Sequence, residues 1–144
     1  MNGDRSNPSM HYAGVAGATL ALAGIIGFFY NASFTSDESV RDAMFGVFDV
    51  NGWHNVLHIL TGVLGLLAFG AGAHAARTYA MAVGIVYLAV AAAGFMVGSG
   101  DSILSIVPVN TEDNILHLLL GVAGVGAALA TPVEARASAP PAAA

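Results

Sequence analysis

The fold is decided by Asn51-Gly-Trp-His-Asn55-Val-Leu-His58-Ile-Leu-Thr-Gly62-Val-Leu-Gly65, because the chain says it twice. Fifty-nine residues later comes Asn110-Thr-Glu-Asp-Asn114-Ile-Leu-His117-Leu-Leu-Leu-Gly121-Val-Ala-Gly124. The shared Asn, Asn, His, Gly and Gly fall at i, i+4, i+7, i+11 and i+14, the spacing of one helix face. Each copy opens a long apolar run, from residue 53 to 73 and from 114 to 130. Two more such runs, 12–30 and 78–98, precede them. These match more weakly at an offset of 67, through Tyr12/Tyr79, Ala13/Ala80, Gly17/Gly84, Gly27/Gly94 and Phe28/Phe95.

Four runs of about 20 apolar residues each are long enough to cross a bilayer core as helices. Of the 144 residues 56% are hydrophobic and 9% charged, which excludes a soluble globular domain and a disordered segment. A net charge of −5 offers no basic footprint, so nucleic acid is excluded as a partner. No cysteine is present, which removes disulfides, thiolate ligands and cysteine nucleophiles. Period-2 alternation is missing, so a membrane β-barrel is excluded. The first run is too long for a signal-peptide core and is read as a retained span.

The expected architecture is an all-α transmembrane four-helix bundle. It is built from two tandem helix–loop–helix repeats, about 11–73 and 77–131, with a pseudo-two-fold axis along the membrane normal. Residues 1–10 form an N-terminal segment, and 132–144 an Ala/Pro-rich tail expected to be disordered. Polar side chains avoid lipid and small ones let helices approach, so both Asn/His/Gly ridges face inward. Gly14, Gly17, Ala21 and Gly24 supply the matching stripe in span one, and Ala80, Gly84, Ala91 and Gly98 in span three. Arg5, Arg77 and Arg136 lie on one side of the membrane and Arg41 on the other, with Asp37, Glu38, Asp42, Asp49, Asp101, Glu112 and Asp113. The positive-inside rule then places both termini in the cytoplasm and the acidic loops outside.

An ionisable residue within a span marks a functional site by default. His58 and His117 are expected at one depth. They either lock the bundle through hydrogen bonds or hold a proton, a metal or, less readily, a haem iron. Asn51 and Asn110 are expected to cap helices two and four, with Thr111 a competing cap. Asn55 and Asn114, one turn deeper, are expected to bond across helices, reaching even across the pseudo-axis. Glu112 and Asp113 complement the dipole of helix four and, with His117, offer oxygen and nitrogen ligands. With no His-x-x-x-His or Glu-x-x-His array counted, metal binding carries little weight. His54 is set aside, since Asp113 replaces it in the second copy. His74 is read as a solvated turn residue. In the loop at 31–50, Thr35 to Glu38 reads as a capping box, and Val40, Met44 and Val47 or Phe48 suggest a short amphipathic helix at the interface, with a plain solvated connector as the alternative.

The segments Phe45-Gly-Val-Phe-Asp-Val-Asn-Gly-Trp-His-Asn-Val-Leu-His58, Ala76-Arg-Thr-Tyr-Ala80 and Ile106-Val-Pro-Val-Asn-Thr-Glu-Asp-Asn-Ile-Leu-His117 carry a resemblance. In these, over roughly residues 10–130, the chain resembles the small four-pass membrane proteins classed as domain of unknown function 4383. The resemblance implies a bacterial membrane protein and brings no catalytic residues. The expected function is that of a non-enzymatic structural or accessory membrane component. The alternative is a site for an ion, proton, metal or small ligand at Asn55, His58, Asn114 and His117, with transport as a variant. No resident cofactor is called. The lipid bilayer is the expected partner, with a second copy or another membrane protein left open.

Overall fold

In lipid an apolar segment must satisfy its own backbone, and helices do so. A computed structural model, describing residues 7–35 and 42–132, has four: α1 (Pro8–Tyr30), α2 (Gly52–Ala71), α3 (Ala73–Val97) and α4 (Thr111–Ala130). All four are long and apolar enough to cross a membrane. The large apolar side chains that stay exposed on their flanks, such as Leu60, Leu67, Val86, Leu119 and Leu129, form the surface offered to lipid. The chain is a multi-pass membrane protein.

α1 begins earlier than the apolar run suggests. Asn7 caps it, accepting from the Met10 amide at 2.7 Å, and Pro8 occupies the first turn, where a missing N–H costs nothing. Ser9 is buried because the end of α4 receives it: its hydroxyl donates to Ala127 O at 3.1 Å. Between α2 and α3 the chain reverses through Gly72 alone, at φ 101°, a conformation open to glycine.

The loops differ from expectation. From Asp42 to Val50 the chain forms a β-hairpin, β1 (Asp42–Met44) against β2 (Phe48–Val50), and not an amphipathic helix. Phe45 and Gly46 both take positive φ, 57° and 71°, which turns the chain and stops a helix there. Most of the expected capping box, at 36–38, and the expected disorder of the tail lie outside the described residues. The second loop carries the twin hairpin, β3 (Asp101–Ile103) against β4 (Val107–Val109). Both hairpins keep the offset of 59, so the duplication extends through the loops. The fold is a helical bundle with two small sheets at one end.

Within each repeat the helices pack backbone on backbone. A Cβ at Gly17 would stand 2.9 Å from Leu66 N, and one at Gly84 2.7 Å from Val125 N. Gly98 does not join this stripe; it ends α3 at φ 94°, and the packed position is Gly94. The repeats are joined by two matching hydrogen bonds. Tyr12 donates to Leu120 O and Tyr79 to Thr61 O, each at 3.0 Å, with the two rings 6.2 Å apart. The exchange that carries Tyr12 to Tyr79 also carries Leu120 to Thr61, which is the signature of a two-fold relation between repeats.

Candidate functional site

The polar centre is built from the helix caps inward. Asn51 caps α2, its Oδ1 accepting from the His54 amide at 2.8 Å. Asn110 caps α4 in the same way, accepting from the Asp113 amide at 2.9 Å. Each side-chain amide then crosses to the other repeat. Asn51 Nδ2 donates to Ile106 O at 2.7 Å, and Asn110 Nδ2 to Val47 O at 2.6 Å. The caps therefore do two things: they satisfy a free N–H at each helix start and they tie each helix to the opposite hairpin.

That arrangement fixes His54 and Asp113 as the third residues of their helices, pointing inward, 2% and 1% exposed. His54 Nδ1 lies 3.0 Å from Asp49 O. A carbonyl only accepts, so Nδ1 carries the proton and Nε2 of the neutral ring holds a lone pair aimed into the core. His58 stands one turn further on the same face, its Nε2 3.1 Å from His54 Nε2. His117 closes the group from α4, with ring centroids 6.0 Å from His54 and 6.2 Å from His58. Tyr87 of α3 stacks on His117, with ring centroids 5.2 Å apart.

One nitrogen from each of the three imidazoles lies within 4.8 Å of the others, and all three rings are buried. Tetrahedral zinc with arms of about 2.0–2.1 Å has ligand nitrogens about 3.3–3.4 Å apart, close to the His54–His58 spacing. Nδ1 of His117 is buried with no hydrogen-bond partner. The second oxygen of Asp113 is also buried without one, while its carboxylate accepts a backbone hydrogen bond from Asp49.

The structure does not bring all the expected residues together. His58 and His117 meet. Asn55 does not join them: its Nδ2 donates to Asn31 O at 2.8 Å, at the end of α1, and its Oδ1 lies against Gly27. Asn114 Oδ1 lies in the same way against Gly94. Both side chains therefore press into the seam of their own repeat, and the expected bond of Asn55 across the pseudo-axis is replaced by one within its hairpin. Glu112 and His74 are exposed.

Two members were missed. His54 and His58 do form a His-x-x-x-His pair, against the count made from sequence, and the spacing alone was enough to find it. Tyr87 carries no signal, because its counterpart in span one is Leu20.

A duplicated hairpin bundle with a buried imidazole cluster at one end defines a class of small multi-pass membrane protein. The chain matches the family described as domain of unknown function (DUF4383) over residues 11–130, and it belongs to that family. Neither a curated protein nor a solved structure matches it.

Proposed function

We propose that this is a non-enzymatic membrane protein that holds one divalent transition-metal ion through His54, His58 and His117. The observation that carries the reading is the convergence of three buried imidazole nitrogens within 4.8 Å. Imidazole donors select zinc, copper, nickel or iron over calcium and magnesium, which take oxygen. The Asp49 carbonyl accepts from Nδ1 of His54, the kind of contact that orients a ligating ring and leaves its other nitrogen free for the ion. The unpartnered Nδ1 of His117 favours the same reading, since a buried nitrogen without a partner costs about 1–3 kcal/mol.

The His54 and His58 rings touch, with centroids 4.4 Å apart, which favours a single ion over a haem plane between His58 and His117. The ridges hold Asn, His and Gly but no Ser, Cys or Lys, which supports a role without covalent catalysis. The helices run unbroken past the cluster, and transporters bind their substrates at broken ones, so the reading is of an ion held and not passed. One copy supplies all three donors. Arginine placement supports an orientation with the cluster near the outer face and both termini in the cytoplasm.

A second reading, the imidazoles as a hydrogen-bonded lock, is favoured by the His54–His58 contact, which needs no ion. Zinc titration of the chelator-stripped protein in detergent, against a chromophoric competitor, separates the two. The metal reading predicts one ion per chain. It also predicts an affinity at least about tenfold lower in His54→Ala, His58→Ala and His117→Ala, with His74→Ala unchanged. A lock predicts no zinc binding and a lower unfolding temperature in the same three variants.

A further inference from the structure

Both hairpins end in an exposed apolar side chain held in a conformation that such residues rarely adopt. Phe45, 63% exposed, has φ 57°, and Leu104, 85% exposed, has φ 52°. They occupy the same place in the two repeats, 59 residues apart. Turns with positive φ at both central residues favour Asn, Asp and Gly. A large apolar residue there is strained, and strain kept at two equivalent exposed positions points to something that covers those side chains.

We infer that the tips of both hairpins lie in the boundary between headgroups and acyl chains, and that lipid covers Phe45 and Leu104. The first argument is continuity. The Phe45 ring meets the Tyr30 ring edge-on at 5.4 Å, and Tyr30 is the last residue of α1. The first tip therefore stays at the depth where a span ends. The second argument is the neighbourhood. Phe34 packs edge-on against Trp53 at 5.1 Å, and the Trp53 indole donates to Phe34 O at 3.2 Å. Exposed aromatic residues with a polar tip gather at the membrane–water boundary, and Trp53, exposed in the first turn of α2, is one of them. The third argument is charge. The segments at 43–48 and 102–107 contain no charged residue, while Asp42 and Asp101 stand at the hairpin bases.

Trp53 is the chain's one tryptophan, so Trp53→Phe gives a silent background for a probe at each tip. Phe45→Trp and Leu104→Trp are made in that background and placed in phosphatidylcholine nanodiscs, with or without bromine on the upper acyl chain. Lipid cover predicts that bromine lowers the emission of both probes by about twofold or more and that aqueous iodide changes it little. Emission indifferent to bromine but quenched by iodide would overturn the proposal. So would emission indifferent to both quenchers in discs that hold two copies but sensitive to iodide when each disc holds a single copy, which would assign the tips to a second copy. The chain also lacks cysteine, so Phe45→Cys and Leu104→Cys each create a lone thiol. Both should react with a charged maleimide about tenfold more slowly than Asp101→Cys. Equal rates at all three positions contradict lipid cover.

Discussion

His54 and Asp113 hold the same position in the two repeats, and both reach the backbone of one residue, Asp49. His54 Nδ1 donates to its carbonyl, while the Asp113 carboxylate accepts its backbone hydrogen bond. A single strand of the first hairpin thus orients an imidazole from one repeat and a carboxylate from the other. The two-fold frame positions the centre, and the difference at this one pair makes it a three-imidazole group with a carboxylate nearby in the fold, not a symmetric one.

Equivalence of place predicts what exchange would do. Asp113→His recreates at α4 the i, i+4 pair that His54 and His58 form on α2. Zinc affinity should rise at least about tenfold, roughly 1.4 kcal/mol. Asp113→Asn keeps the three imidazoles and should leave affinity within about threefold, roughly 0.7 kcal/mol. Competition titration reads both. Loss of binding in Asp113→Asn would show the carboxylate itself to be a ligand.

Protons and metal compete for the same lone pairs. Imidazole ligates only in its neutral form, so zinc affinity should fall once acid protonates the cluster. Repeating the titration from about pH 7.5 down to about pH 3.5 checks it. A profile flat to the acid end would mean that histidines do not hold the ion.

The seams predict a sharp contrast among glycines. Gly27→Ala and Gly94→Ala drive a methyl group into the Asn55 and Asn114 amides and should each cost about 1–3 kcal/mol. Gly70→Ala and Gly126→Ala face open space and should leave stability equal or up to about 1 kcal/mol higher. Unfolding in mixed micelles measures all four.

Asn51 combines a cap with a bridge, and two variants separate them. Asn51→Ala loses both the bond from the His54 amide and the bond to Ile106 O, for about 1–2 kcal/mol. Asn51→Ser keeps a capping oxygen but is too short for the bridge, so it should cost about half as much. Amide exchange at residues 101–109 should quicken in both variants, since both release the second hairpin.

Much of this was legible in the residues. Spans are read from length and hydropathy, because lipid leaves a backbone no alternative. The ridge of Asn51, Asn55, His58, Gly62 and Gly65 showed which face turns inward. The hairpins were not legible: strands of three residues carry no usable period, and Val40, Met44 and Val47 imitate a helix. The imidazole cluster was only half legible, for a related reason. Repeats reveal what two copies share, and His54 and Tyr87 are where the copies differ, opposite Asp113 and Leu20. The symmetric residues build the frame, and its exceptions complete the site.

X-ray absorption at the zinc edge of the protein loaded with one equivalent of zinc tests the central claim most directly. The account predicts a first shell at about 2.0–2.1 Å with the outer-shell scattering of three imidazoles, falling to two in His54→Ala. A shell of oxygen ligands without imidazole scattering, or a spectrum unchanged by that substitution, would contradict it.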